Sequence, residues 1–180
     1  YYSELLSSEG GDTFQFGVDD LAVALCYPNS YSVGMSSLGF QAIYSLINSI
    51  PGASAERFFH DLPGDETLES RLPLSRAHVV AFSVSYEMDF INIVEVLERA
   101  RIPIRAEGRK ADTPIIIAGG TAISVNRLPI YDVCDVFIHG AGERAVPELI
   151  EVLAQYRDDK AAALKAAGDI DGVEITTGAQ

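Results

Sequence analysis

Small and polar residues follow the ends of four predicted buried strands, and these loops hold the side chains whose chemistry could serve a ligand. They are residues 29–34, 83–87, 119–120 and 140–143. Glycine at a strand end lets a ligand approach the main chain closely, and free backbone N–H groups bind anionic or amide-bearing parts of a ligand. Any single glycine there can instead serve the fold, because glycine is also common where a strand joins the next helix. Four such loops at one edge favour ligand binding.

Residues typical of catalysis do not form a recognisable group in this sequence. His60, His78 and His139 lie near strand ends without a cysteine or acidic residue at ligand spacing. Cys26 and Cys134 fall in apolar runs and are predicted to be unreactive core thiols. Phosphate loops of the Gly-x-x-x-x-Gly-Lys type and strand-linked Gly-x-Gly-x-x-Gly motifs are absent. We therefore expect no catalytic residue and no metal ligand among these side chains.

Five apolar runs must position the four loops, and each is too short for a helix of its own. The runs predicted as strands are residues 21–26, 55–60, 78–85, 114–118 and 134–139. Apolar residues at helical spacing follow the first, third and fifth runs, so amphipathic helices are predicted there. Glu143 begins the last of these helices, where a carboxylate also complements the helix dipole. The loop at 29–34 is predicted to be short and polar.

Strands that alternate with helices predict an α/β fold of three layers with a mainly parallel, five-stranded sheet. We predict the Rossmann-like, flavodoxin-like strand order 2-1-3-4-5. In that order the direction of winding switches between strands 1 and 3, so residues 29–34 and 83–87 flank one crevice. The glycines at 119–120 and 140–142 line its continuation.

Composition limits the partners of the chain. Its 180 residues are 48% hydrophobic, which suits one folded domain, and its net charge of −13 disfavours nucleic acid and anionic membranes as partners. No apolar run approaches the roughly 20 residues of a membrane span, and a cytoplasmic location is expected. Since the chain starts at Tyr1 without an initiator methionine, we expect it to be part of a longer protein.

Short motifs in a fixed order resemble one known family. They are PNSYSVGMSSLGFQAIY, AERFF, FSVSYEMDFINIVEVL, IIIAGGTA and GAGE, which lie between residues 28 and 143 within a resemblance that covers residues 21 to about 153. In this order they resemble the N-terminal cobalamin-binding-like domain of radical S-adenosylmethionine (radical SAM) proteins. The resemblance implies a lead-in at residues 1–19, a cobalamin-binding-like α/β domain at 20–157, and a helix with the start of a linker to a catalytic domain at 158–180.

Cobalamin domains carry Asp-x-His-x-x-Gly after the first strand, Ser-x-Leu after the third and Gly-Gly after the fourth. The matching residues here are Asn29, Tyr31 and Gly34, then Ser83 and Ser85, then Gly119 and Gly120, and the family's Gly-Glu-Gly-Glu after the fifth strand becomes Gly140, Ala141, Gly142 and Glu143. Tyr31 thus replaces the histidine that ligates cobalt, and a neutral phenol is a poor metal ligand.

The resemblance implies binding of cobalamin, with Tyr31 in contact with the corrin and with Ser83, Ser85, Gly119 and Gly120 around the nucleotide tail. No Cys-x-x-x-Cys-x-x-Cys motif is present. The 4Fe–4S cluster and S-adenosylmethionine are therefore expected only in the catalytic domain, which would be the partner of this segment. The segment itself is predicted to be non-catalytic.

Two alternatives stay open at this point. The first is a scaffold that has lost the cofactor and docks onto its own catalytic domain or onto a partner protein; it predicts a crevice closed by side chains such as Tyr31 and Tyr86. The second is a flavin-binding domain of the flavodoxin type, although the first loop lacks the Ser/Thr-rich cradle expected for a flavin phosphate.

Overall fold

The computed structural model describes residues 2–10, 14, 16, 17 and 19–176, and these residues form one six-stranded sheet with helices. The strands are Leu21–Tyr27 (β1), Ala53–Phe59 (β2), Val79–Ser83 (β3), Ile115–Gly119 (β4), Val136–Ile138 (β5) and Val173–Ile175 (β6). Their order across the sheet is β2-β1-β3-β4-β5-β6. The first five strands are parallel to their neighbours, and β6 pairs antiparallel with β5.

The sixth strand corrects the predicted sheet. The expected order 2-1-3-4-5 describes the parallel strands, but the prediction of five strands was wrong and the complete order extends to β6. Val173 pairs with Ile138, and Ile175 pairs with Val136. Two apolar residues in an otherwise polar stretch are too weak a period-2 signal to indicate a strand. They form a strand because their backbone pairs with β5.

The two strands at the β2 edge of the sheet, β2 and β1, are fully buried. Every residue of β1 and β2 is buried, as expected for the continuous apolar run of β1. The edge strand β2 is covered in part by the chain around residue 68, since Leu68 N donates to Arg57 O at 2.7 Å and Arg57 N donates to Glu69 Oε2 at 2.7 Å. These bonds satisfy backbone groups that an edge strand would otherwise expose.

Seven α-helices occur in the described part of the chain. They are Tyr2–Ser8 (α1), Tyr31–Met35 (α2), Leu38–Asn48 (α3), Phe90–Arg99 (α4), Thr121–Val125 (α5), Gly142–Gln155 (α6) and Lys160–Ala167 (α7). Short 3₁₀ turns are formed by Leu74–Arg76, Glu87–Asp89, Ala106–Gly108 and Leu128–Ile130. No helix among the described residues is both long enough and apolar enough to cross a lipid bilayer.

The amphipathic helix predicted after the first strand is confirmed as α3. The Ser37 hydroxyl accepts a hydrogen bond from Phe40 N at the start of α3, and Phe40 and Ile47 are buried beneath it. Helix α3 contacts α6, so the helix after β1 and the helix after β5 cover the same face of the sheet. The loop predicted at 29–34 instead begins α2, whose first turn is capped by Ser30.

The predicted division at residues 19 and 157 stays a prediction. Within 158–180, α7 contacts α6 and β6 joins the sheet, so the described part of this segment packs against the rest of the fold. Residues 1, 11–13, 15, 18 and 177–180 of the two outer segments lie outside the described residues.

Candidate functional site

A groove lies between α3 and α6, above the face of the sheet and open towards the carboxyl ends of its strands. Its volume is about 360 Å³, which is within the usual range of small-molecule sites. The floor and walls are mostly apolar and consist of Leu25, Ile43, Ile47, Ala81, Ile117, Val146, Leu149 and Ile150. An apolar or aromatic part of a ligand would be held there by burial rather than by charge.

Six of the ten predicted site residues line this groove at its mouth. They are Ser83, Gly119, Gly120, Gly140, Gly142 and Glu143. These residues follow β3, β4 and β5, whose carboxyl ends meet at one edge because the strands are parallel and adjacent. The structure thus brings these six residues together at one groove, and their role in binding a cofactor stays a prediction.

Two of the glycines at the mouth of the groove are explained by packing alone. Gly120 has a φ of +114°, and a Cβ there would lie 2.5 Å from Val84 O. A Cβ on Gly142 would lie 3.1 Å from Ile43 Cδ1, so its small size lets α6 approach α3. Both positions need glycine for the fold, and neither glycine alone is evidence for a ligand.

Gly39 differs from these glycines and was missed in the sequence. It lies on α3, lines the groove, and has no atom within 4 Å of where its Cβ would be. Glycine costs about 1 kcal/mol relative to alanine within a helix, and no packing contact explains it here. The available signal was its spacing, because Gly39, Ile43 and Ile47 follow at intervals of four and Gly39 leaves a gap in that stripe.

Few polar side chains line the groove, and two of those at the mouth have no hydrogen-bond partner among the described residues. The side chains of Ser83 and Glu143 form no hydrogen bond or ion pair with any described residue. Ser124 accepts a hydrogen bond from Gly140 N at 3.4 Å and donates one to Gly120 O at 3.2 Å, which joins the loops after β4 and β5. A ligand in the groove would find a hydroxyl and a carboxylate free to bind its polar atoms.

The structure places Asn29 and Ser85 outside the groove lining, in contacts with the protein. Asn29 Nδ2 donates to Asp89 Oδ1 at 2.8 Å, and Asn29 Oδ1 accepts from Ser30 N at 2.8 Å. Ser85 Oγ accepts from Tyr27 Oη at 3.1 Å. These bonds tie the loop after β1 to the loop after β3, as expected for two segments that flank the point where the winding direction switches.

Tyr31 also lies away from the groove lining. Its hydroxyl donates to Glu9 Oε1 at 2.6 Å, its backbone N–H donates to Asp61 Oδ1 at 2.8 Å, and its ring meets Phe59 edge-on at 5.1 Å. Burial and the hydrogen bond to Glu9 raise the pKa of Tyr31 to about 12. The phenol is neutral at pH 7, so it does not offer the phenolate that would bind a metal.

Gly34 is buried beneath the same aromatic residues. A Cβ at this position would lie 2.5 Å from Phe59 Cε1 and 3.0 Å from Tyr27 Cγ. Both rings are buried in the core, so neither is free to shift. Gly34 therefore has a packing reason that is sufficient by itself.

A buried ion cluster lies beside Tyr31 and was not predicted. Arg57 Nε contacts Glu69 Oε1 at 2.6 Å, and Arg57 Nη2 contacts Glu9 Oε2 at 2.7 Å. Burial lowers the pKa of Arg57, but the charges and hydrogen bonds of Glu69 and Glu9 outweigh it and raise the pKa overall. The guanidinium thus stays charged, and the cluster fixes the lead-in segment against β2.

Both cysteines are free and buried, and burial raises the pKa of each thiol, as expected for unreactive core residues. Two histidines have acidic partners that are distant in sequence: His60 Nε2 lies 2.9 Å from Glu95 Oε2, and His139 Nε2 lies 2.7 Å from Glu174 Oε2. None of these groups lines the groove.

Comparison with known proteins finds one family model that matches most of the chain. The family model described as "Radical SAM proteins, N-terminal" matches residues 39–175, a range that includes all six predicted residues at the groove mouth and excludes Asn29, Tyr31 and Gly34. An uncharacterized protein of Methanocaldococcus jannaschii is 24% identical over 118 residues, which are 66% of this chain and 23% of that protein. The chain thus spans about a quarter of the length of this curated relative. No solved structure matches the chain.

Proposed function

This chain belongs to the family of radical SAM protein N-terminal domains, and from that premise we propose that it is an accessory domain whose groove receives the nucleotide tail of a cobalamin. The observation that carries the proposal is the groove between α3 and α6, which gathers six residues of three separate strand-end motifs. The order of the five parallel strands supports a three-layer, Rossmann-like architecture of the flavodoxin type.

The residues present fit the tail of this cofactor better than its metal. Ser83, Gly119 and Gly120 would hold the tail at the mouth of the groove, and the apolar walls would exclude water from it. Cobalamin, when bound, supplies cobalt-centred chemistry. Tyr31 offers no ligand to that cobalt because its phenol is neutral and bound to Glu9. Contact of Tyr31 with the corrin stays a prediction.

Catalysis is proposed to reside elsewhere in a longer protein. The iron–sulfur cluster of a radical SAM enzyme needs a Cys-x-x-x-Cys-x-x-Cys motif, and this sequence contains only Cys26 and Cys134. Both thiols are buried. The 4Fe–4S cluster and S-adenosylmethionine would therefore belong to a separate catalytic domain, and a cytoplasmic location goes with that proposal.

A second candidate function is docking onto that catalytic domain or another protein. Large apolar side chains are exposed in the segments after three of the strands; those described are Val33, Leu38, Tyr86, Met88, Ile91, Val125 and Leu128. Exposed apolar patches of this kind mark interaction surfaces. The scaffold alternative also predicts a crevice closed by Tyr31 and Tyr86, and neither residue lines the groove. Docking is therefore proposed together with ligand binding.

The test is retention of cobalamin by the chain after gel filtration, read from the ultraviolet–visible spectrum. The Gly39→Leu variant places a side chain in the groove, where no atom lies within 4 Å of its Cβ. We expect the wild-type chain to co-elute with corrin absorption that shows no imidazole on cobalt, and Gly39→Leu to lose at least tenfold in affinity.

Gly39→Ala is the matched control because it changes the same backbone position without filling the groove. It should retain cobalamin as the wild type does, and it should raise the free energy of unfolding by about 0.5–1 kcal/mol through helix propensity. Colourless wild-type protein would contradict cofactor binding and leave docking as the leading function. Equal retention by Gly39→Leu would show that cobalamin binds somewhere other than this groove.

A further inference from the structure

A second cavity lies at the opposite edge of the sheet, below the amino ends of β1, β3 and β4. Its volume is about 580 Å³. Leu21, Val79 and Ile115, which begin those strands, form its roof, and the chain between α6 and α7 closes one side with Tyr156. The groove and this cavity share no lining residue, so whatever enters one does not contact the other.

Positive charge is concentrated around this cavity although the chain as a whole is acidic. Arg76, Arg157 and Lys160 line it, which are three of the 13 Lys and Arg residues in a chain with a net charge of −13. Asp112 and Asp158 line it too, and Asp158 lies 3.6 Å from Arg157. The lining therefore carries an excess of one positive charge in a chain whose net charge is −13.

His78 lines this cavity, and a backbone hydrogen bond fixes the tautomer of its ring. Its Nδ1 accepts from Ala22 N at 2.9 Å, so the hydrogen of the neutral ring is on Nε2. The backbone of His78 is held on both sides, because His78 N donates to Ala22 O and His78 O accepts from Ile115 N, each at 3.0 Å. Burial lowers the pKa of the ring, so the neutral form with its Nε2–H donor prevails at pH 7.5.

Lys160 brings an ammonium group whose charge is only partly balanced. Its Nζ lies 3.3 Å from Pro114 O and 3.8 Å from Asp135 Oδ2. The carboxylate of Asp135 already pairs with the buried Arg109 at 3.0 Å, so two cations share one anion. Arg76 adds an exposed guanidinium, which has no hydrogen-bond or ion-pair partner among the described side chains.

We propose that this cavity binds the phosphate group of a small molecule, with Arg76, Lys160 and the Nε2–H of His78 as the binding groups. A guanidinium, an ammonium and an imidazole N–H together supply donors from several directions, which suits a tetrahedral oxyanion with two charges. A phosphate would also balance the cation that Asp135 leaves uncompensated. This site does not depend on the proposed function of the groove.

The test is a titration of the chain with inorganic phosphate, followed by NMR of the histidine ring protons at pH 7.5 and constant ionic strength. The sequence has three histidines, and only His78 lines this cavity. We expect a saturable shift of the His78 signals, with those of His60 and His139 unchanged as internal references. Sodium chloride at the same ionic strength should not reproduce the shift.

Two variants and a matched control make the assignment specific. Arg76 is exposed, so Arg76→Gln is expected to fold as the wild type does. It should weaken phosphate binding about tenfold, as should Lys160→Gln. Arg105→Gln removes a cation that lines another part of the surface and should leave binding unchanged. The proposal is overturned if His78 does not shift, if all three histidines shift together, or if Arg76→Gln binds phosphate as tightly as the wild type.

Discussion

The loop after β1 and the loops after β3, β4 and β5 carry similar small and polar residues, yet the structure uses them differently. Gly119, Gly120 and Gly142 open onto the groove. Gly34 lies beneath Phe59, and Tyr31 bonds to Glu9. A motif position is therefore weak evidence of ligand contact until the packing around it is known. The first loop is fixed by the core and the lead-in segment, and the later loops leave space for a ligand.

The largest effect is expected when the ion cluster beside the first loop is removed, because that loop is held by the core while the later loops line the groove. Arg57→Leu should lower the free energy of unfolding by about 3–5 kcal/mol, because it leaves the buried carboxylate of Glu69 without its partner. Urea denaturation measures the change. None of these residues lines the groove between α3 and α6, so Arg57→Leu should lower stability without directly changing the groove.

Arg105→Leu is the matched control for that variant. Arg105 lies 3.4 Å from Asp132 in a pair whose side chains are 67% and 72% exposed, and exposed pairs contribute about 0–1 kcal/mol. If Arg57→Leu were no more destabilising than Arg105→Leu, the cluster would not support the first loop and the contrast between the two regions would lose its structural basis.

Alanine substitutions at Gly34 and Gly39 should change the free energy of unfolding in opposite directions. Gly34→Ala should lower the free energy of unfolding by about 1–3 kcal/mol, because the added methyl group meets the buried ring of Phe59 at 2.5 Å. Gly39→Ala should act in the opposite direction, since its Cβ meets no atom within 4 Å. Thermal or urea unfolding of the two variants compares them directly.

A Gly34→Ala variant with unchanged stability would point to a ligand-binding role instead. If Gly34→Ala folded as stably as the wild type but lost cobalamin, Gly34 would serve the ligand, as its place in the Asp-x-His-x-x-Gly motif implies. The first loop would then belong to the binding site after all.

The sequence predicted the parallel core because its strong signals coincide with buried strands. The run at 21–26 is apolar throughout and forms β1, which is buried on both faces. β6 was missed because three residues with two apolar side chains do not establish a period. Helix α2 was missed because five residues, one of them Gly34, are indistinguishable from a loop by composition.

The grouping of six predicted residues along one groove follows from topology, whereas their role in binding stays a prediction. The carboxyl ends of adjacent parallel strands must meet, so the residues after β3, β4 and β5 could be grouped before any side chain was placed. The environment of Tyr31 was not predictable in this way, because Glu9 lies 22 residues earlier in a segment without a clear pattern. His139 and Glu174 are 35 residues apart and illustrate the same limit.

The finest test of the contrast is the Tyr31→Phe variant, which removes one hydroxyl and keeps the ring against Phe59. Loss of the hydrogen bond to Glu9 should lower the free energy of unfolding by about 1 kcal/mol at pH 7. The pKa of Tyr31 is raised from its usual 10 to about 12 in the folded chain. Its stabilising contribution is therefore fully present below pH 10 and is lost as the pH rises towards 12.

Urea unfolding of both proteins between pH 9 and pH 11 should accordingly show a difference that narrows as the pH rises. Since Tyr31 does not line the groove, Tyr31→Phe should retain cobalamin with the wild-type spectrum. A variant as stable as the wild type that fails to bind cobalamin would instead assign the hydroxyl to the corrin. Tyr31 would then have to leave Glu9 when the cofactor binds, and the lead-in segment would move with it.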